Sequence, residues 1–235
     1  MILDLYKDSF EFASRKVTIL LILGVLSLFS ILIIPLIFVY GYGYRVIKMS
    51  TQSMINGEDE PPEFGEYKKM FIDGLKYIVV YLAYLIIPII IIAISAMNGS
   101  VNWILLIIGI ILMIICMLVA YLAVPNMAAN DDSISAAFAF SDIIDIMGSI
   151  GYLRFILTYI GIALISLAIV FVATLVISFI FGILGVATLS ISGSGVGVVS
   201  LIGTIIFNFV MFFLVAPYIS LFKDRCQGLI YTIGS

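Results

Sequence analysis

Apolar positions fall along this chain in three uninterrupted blocks, 17–44, 77–130 and 155–222, none of which holds a single Asp, Glu, Lys or Arg. Each block is long enough for one or more membrane helices, since about 20 apolar residues span a bilayer core. Before each lies a short stretch in which apolar and polar positions alternate at helical spacing. In 2–16, Leu3, Tyr6, Phe10 and Ala13 oppose Asp4, Lys7, Asp8 and Glu11. In 64–76, Phe64, Tyr67, Phe71 and Leu75 oppose Glu66, Lys69, Asp73 and Lys76, and in 136–153, Phe138, Ile143, Met147 and Ile150 oppose Ser141, Asp142, Asp145 and Ser149. That pattern predicts three amphipathic helices lying in the membrane interface.

Within the blocks, prolines, glycines and polar residues mark the breaks. The first block, 17–44, is one embedded segment interrupted by Pro35. Paired prolines, Pro61 and Pro62, forbid a regular helix across the acidic stretch 56–63, which reads as an aqueous loop. Spans are expected over 77–97 and 103–125, separated by the uncharged turn 98–102. A longer apolar run, 155–189, exceeds what a crossing needs and implies tilt or a break near Gly182 or Gly185. The serine- and glycine-rich turn 190–197 leads to a last span, 198–222. The cadence of amphipathic helix, basic residue (Lys16, Lys76, Arg154), helical pair and proline (Pro35, Pro125, Pro217) suggests three degenerate helix-pair repeats around a common centre.

The expected fold is therefore all-α: one polytopic helical bundle with interfacial helices. Composition agrees, at 64% hydrophobic and 11% charged residues with mean hydropathy +1.31, far from the globular norm. The net charge of −3, with dispersed basic residues, excludes an electrostatic footprint for nucleic acid. The apolar run after residue 16 is too long for a signal peptide, so the N-terminus is expected to be retained. Cys116, mid-span, and Cys226, beyond the last span, are not placed to form a disulfide.

Loops 45–76 and 126–154 and the C-terminal stretch from Lys223 carry most of the basic residues, which places them in the cytoplasm of a cell membrane. The basic N-terminal helix conflicts with a single crossing over 17–44. Two resolutions stand: a re-entrant hairpin turning near Pro35 and packed on other helices, or an N-terminus on the outside. Because Lys and Arg rather than acids decide orientation, the hairpin with a cytoplasmic N-terminus is favoured.

The order Gly41-Tyr42-Gly43-Tyr44-Arg45-Val46, then Gly57-Glu58-Asp59-Glu60-Pro61-Pro62-Glu63-Phe64, then Phe71-Ile72-Asp73-Gly74-Leu75-Lys76 resembles the domain of unknown function 4013 family. The resemblance is specific between about Tyr40 and Tyr81, with Gly41-Tyr42 fitting the family's Gly-Tyr-x-x-Arg-Val run. It implies a multi-spanning membrane protein of a kind frequent in archaea, and no activity. More loosely, the interfacial-helix cadence is similar to the membrane domain attached to some glycerophosphodiesterases, which implies proximity to lipid.

Candidate chemistry is sparse. With no histidine in the chain, the commonest general base and metal ligand is missing, and the spans lack the acids an aspartyl intramembrane protease would need. No enzymatic activity, metal or cofactor is expected. Arg45 is a candidate for lipid headgroup contact, against a snorkelling role. Thr204 and Asn208, one turn apart inside a span, are expected to make interhelical polar contacts, and Thr174, Ser178 and Gly182 form a small-residue row suited to close helix packing. The acids Glu58, Asp59, Glu60 and Glu63, and Asp131, Asp132, Asp142 and Asp145, read as solvated positions rather than a cation site. Gly193, Gly195 and Gly197 are only superficially a phosphate loop. Tyr40, Tyr42, Tyr44, Tyr77, Tyr152, Tyr218 and Trp103 read as an aromatic belt.

Two functions fit. The first is a non-enzymatic scaffold contacting membrane lipids and supporting a complex with itself or another membrane protein. The second is a passive or weakly coupled translocator of a small or amphiphilic solute, its path lined by Tyr81, Tyr84, Thr204 and Asn208.

Overall fold

The structure, a computed structural model, describes residues 2–97, 101–192 and 196–235, and the side chains of all of these except 185–192 and 196. Among the described residues there is no strand. The helices are α1 (Ile2–Arg15), α2 (Val17–Leu28), α3 (Ile33–Ser50), α4 (Tyr67–Ser95), α5 (Trp103–Ala129), α6 (Phe140–Ile150), α7 (Tyr152–Ser192), α8 (Val196–Val210) and α9 (Ala216–Gly234), with a 3₁₀ turn at Ile134–Phe138 and a π segment at Met211–Val215. Four runs are long and apolar enough to cross a membrane: Tyr67–Ser95, Trp103–Ala129, Tyr152–Leu184 and Gly197–Gly234. The chain is thus an all-α polytopic bundle.

The segment 17–44 forms two helices rather than one. At 12 residues, α2 is about 18 Å long and falls short of the roughly 30 Å core. A turn over 29–32 reverses the chain, and Ile31 at its tip is 92% exposed. Pro35 lies just after this turn, in the first turn of α3, where its missing N–H costs no helical bond. Both ends of the hairpin meet at one face: the Lys16 ammonium lies 3.3 Å from Glu60, and Arg15 donates to the carbonyls of Gly57 and Asp59, in the loop that follows α3.

The remaining helices follow the same up-and-down course. Lys76, early in α4, donates to the main-chain oxygen of Asp132, just past α5, and Gly234 of α9 rests against Ile146 of α6. The three returning helices, α3, α5 and α9, pack on one another at the centre, while α2, α4 and α7 lie outside them. Among the described residues the charged side chains gather at one end of the bundle, where α3, α5 and α9 finish.

Several expected boundaries move. Phe64 precedes the helix rather than starting it: it stacks on Tyr42 at 5.8 Å, and α4 begins at Tyr67 and continues without a break through the expected span at 77. No break occurs at Gly182 or Gly185, since α7 is one helix. The last span does not stop at 222 but continues to Gly234. Helix α1 is turned from the expected face, burying Leu5, Asp8, Phe12 and Ala13 while Leu3 is exposed. By contrast α6 buries Ile143 and Ile150, on the face its pattern predicts. Gly193 and Gly195 lie outside the described residues.

The π segment has a local cause. Pro217 has no N–H to offer the Phe213 carbonyl one turn earlier, and its ring would press against that oxygen, so the helix widens there. Gly24 of α2 packs directly on the freed Phe213 oxygen.

Two glycines of the Tyr40–Tyr81 region explain why α3 and α4 lie so close. A methyl group on Gly41 would overlap the Met70 carbonyl, and one on Gly74 would overlap the Ile37 carbonyl. The expected small-residue row behaves differently: Ser178 is exposed, and a methyl group on Gly182 would meet nothing within 4 Å, so that row makes no close crossing at its Gly182 end. Gly41→Ala is expected to cost about 1–3 kcal/mol, the usual range for overpacking, and Gly182→Ala to leave stability unchanged or slightly raised. Thermal unfolding of both variants in detergent checks the contrast.

Candidate functional site

Helix α7 leans on α8 more than on α5, and the space left between α7 and the α3, α4, α5 and α9 helices is a cavity of about 600 Å³. Its long wall is apolar, with Leu36, Leu82, Met117 and Ile162 among the lining side chains. Tyr40, Tyr77, Tyr81, Tyr121 and Tyr159 also face it, joined at the α9 side by Asp224. The tyrosines pack as a set, with Tyr40 stacked on Tyr77 at 5.2 Å, Tyr77 tilted on Tyr81 at 4.8 Å, and Tyr121 edge-on to Tyr159 at 5.1 Å. Gln227 braces them, its amide donating to the Tyr81 hydroxyl at 3.3 Å and to the Tyr121 carbonyl at 2.8 Å.

Asp224 can face this space because of Gly43. A methyl group there would stand 2.6 Å from the Asp224 carboxylate. The Ser220 hydroxyl donates to that carboxylate at 3.1 Å, and the exposed Lys223 lines the cavity beside it. Among the described residues none of 86–97, 101–116, 167–184 or 197–219 lines it, so the cavity stops short of the uncharged end.

Beneath the cavity an ionic knot ties three segments together. Arg225, 0% exposed, donates from Nε to Asp8 of α1 and from Nη2 to Asp59 of the acidic loop, both at 2.9 Å, and from Nη1 to Ser50 of α3 at 3.4 Å. Its guanidinium carbon also sits 4.8 Å from the centre of the Phe12 ring. The loop's backbone is held as well, by Asp8 accepting from the Asn56 N–H and by the Tyr42 hydroxyl donating to the Pro62 carbonyl. Partial burial disfavours the charge on Asp59, but Arg225, Ser53 and Arg15 outweigh it and hold the carboxyl below its usual range.

A second hub centres on Asp132. Lys48 reaches both its oxygens at 2.7 Å, and the Tyr44 hydroxyl donates to one of them at 2.7 Å. Burial again opposes the charge, and Lys48, Tyr44 and Lys76 overcome it to keep the carboxyl low. The loop acids expected to be solvated are therefore partly answered by cations, Asp59 by Arg225, Glu60 by Lys16 and Asp132 by Lys48. Among the described residues no three carboxylates or thiols converge as a metal set would.

The candidate residues read from the sequence mostly go elsewhere. Arg45 is engaged within the protein: it donates to the carbonyls of Gly65 and Glu66 at 2.7 and 3.1 Å and pairs with the Glu66 carboxylate at 3.3 Å, clamping the start of α4. Thr204 and Asn208 are both exposed, and each bonds a carbonyl one turn back in its own helix, with no interhelical hydrogen bond among the described residues. Inside an apolar medium that internal bond satisfies a short polar side chain without a neighbour. Of the proposed path only Tyr81 reaches the cavity; Tyr84 lies elsewhere, its hydroxyl donating to the Ala137 carbonyl at 2.7 Å. The aromatic belt shrinks too, since Trp103 and Tyr152 are exposed while Tyr42 and Tyr44 are buried and Tyr218 donates to the Phe10 carbonyl.

Sequence reasoning missed the cavity floor and the knot. One signal was present: after Lys223-Asp224-Arg225 the chain carries no further charge, and an uncharged tail behind a charged triplet suits a buried helix.

With this geometry in hand, the chain is a helical membrane protein whose polar groups are drawn into one end of the bundle. Residues 25–181 match the family described as protein of unknown function (DUF4013), and the chain belongs to that family. No curated protein and no solved structure matches it.

Arg225→Met is expected to destabilise by about 3–5 kcal/mol, because it strands the buried Asp8 carboxylate without its cation. Lys7→Met, which removes the exposed Lys7–Glu11 pair, is expected to change stability by less than about 1 kcal/mol. Denaturation of both variants in the same detergent measures the difference.

Proposed function

We propose that this chain is a non-enzymatic, lipid-contacting membrane scaffold that holds one amphiphilic molecule in its tyrosine-lined cavity. The carrying observation is the cavity's division of labour, with an apolar wall continuous with lipid-facing residues such as Leu82 and a polar floor at Asp224, Gln227 and Lys223. A tail lies along the first and a head against the second, as small-molecule sites combine apolar walls with a few convergent polar groups.

Position supports the same reading. All 11 Lys and Arg residues fall in the segments of the charged end, which the positive-inside rule assigns to the cytoplasm, so the cavity lies in the inner leaflet. The α2–α3 hairpin enters that leaflet and returns, its two helices packed on α9 and α2 also on the π segment, while its apolar turn at 29–32 stays exposed. The cap of α1, the acidic loop and α6 then forms a cytoplasmic face for a partner.

The polar groups of the cavity are phenols, hydroxyls, one amide, one carboxyl and one ammonium, with no histidine anywhere in the chain, which favours binding over catalysis. Translocation has less in its favour, since the lining ends in the middle of the bundle.

Purification in a mild detergent, followed by extraction and mass spectrometry, is expected to yield a lipid-like amphiphile at near-stoichiometric level. Ala163→Phe, which puts a ring into the cavity, is expected to remove it without unfolding the protein. Recovery of the unaltered protein with only scattered bulk lipid, no richer than that on the Ala163→Phe variant, would overturn the reading.

A further inference from the structure

Two polar groups beside the cavity are left wanting partners. Tyr121 is 4% exposed and its hydroxyl has no hydrogen-bond partner among the described residues. Asp224 is 7% exposed, and among the described residues it has no ion pair; the Ser220 hydroxyl is its hydrogen-bond donor. An ionised carboxylate offers about four acceptor positions, and burying it with a single neutral donor is costly. The Tyr121 hydroxyl is enclosed behind its ring, whereas the Asp224 carboxylate borders the cavity with no cation paired to it among the described residues, and because buried charges in native proteins are nearly always paired the carboxylate points to a missing ligand.

The surrounding chemistry narrows what that ligand carries. Five tyrosine rings line the same space as the carboxylate. Aromatic faces attract cations through the ring quadrupole, most strongly where water is excluded, and an aromatic cage is a known way of holding an ammonium group. A buried carboxylate beside such rings adds full charge complementarity. An anionic head would meet repulsion from Asp224, and a neutral sugar would use the hydroxyls but leave the charge unanswered.

The geometry points to an amphiphile whose head bears an organic ammonium group, held between the Asp224 carboxylate and the rings of Tyr40, Tyr77, Tyr81 and Tyr159. This assignment rests on the reading that the cavity holds an amphiphile. Lys223, on the exposed side of Asp224, stands where an anionic group farther along a zwitterionic head is met. The ordering from carboxylate within to ammonium without matches a head with its cation deepest.

The test compares three eight-carbon probes of different head charge, octyltrimethylammonium, octyl glucoside and octyl sulfate, titrated calorimetrically into the protein in zwitterionic-lipid nanodiscs and into empty nanodiscs. The ammonium probe is expected to bind about tenfold or more tightly than either other probe, the scale of a desolvated cation–π site. Asp224→Asn is expected to erase that preference while octyl glucoside still binds. Tyr159→Leu, which leaves the buried carboxylate untouched, serves as a second variant and is expected to weaken the ammonium probe selectively. Equal binding of all three probes to the unaltered protein, or a preference unchanged in both variants, would overturn the ammonium assignment while leaving the amphiphile site standing. Binding of none of the probes above the empty-disc background overturns both.

Discussion

A fully buried guanidinium is the interaction on which the architecture turns. Arg225 lies at the centre of the charged end, and the segments it joins, α1, the acidic loop and α9, are the ones the chain must bring home after leaving the bundle. An isolated charge at that depth would be prohibitive. With Asp8, Asp59, Ser50 and the Phe12 ring around it, the same charge becomes a fixture that fixes where α1 and the loop can sit. The α2–α3 hairpin then follows: its two ends are tied to one platform, so its short helices go into the apolar layer and come back.

The Tyr40–Tyr81 region acquires a physical meaning from this platform. Gly41 and Gly74 let α3 and α4 meet backbone to backbone, and Gly43 makes room for Asp224. Tyr42, Tyr44 and Arg45 reach outward from the same helix to Pro62, Asp132 and Gly65, so successive residues of one short run fasten three different parts of the cap. The run that carries the likeness to the DUF4013 family is thus a structural hub bordering the cavity.

The fold class was legible because lipid imposes a coarse rule, that long uncharged stretches must be helices. Local signals mark the non-helical acidic loop with its paired prolines and the apolar face of α6, whereas the Asn102 cap of α5 shows only in the structure. Which side of each helix faces inward was not legible, because a span apolar all round gives no amphipathic contrast. Thr204 and Asn208 look like inward polar residues, yet bond their own helix and face out. Asp8 looks like a solvent residue of α1 and is buried, since the partner that draws it in lies in the final helix of the chain. The cavity was hidden for the same reason: its tyrosines sit among many others, and only the tertiary arrangement collects five of them around one carboxylate.

The central claim is that the chain enters and leaves the first apolar block on the same side of the membrane. Cysteines introduced singly at Lys7 and Met54, before and after the α2–α3 hairpin, and at Trp103 at the far end of the bundle, would be exposed to a membrane-impermeant maleimide in sealed vesicles, with Cys116 and Cys226 replaced by alanine. Labelling of positions 7 and 54 from the same side, and of 103 from the other, is the predicted result. Labelling of positions 7 and 54 from opposite sides would contradict it.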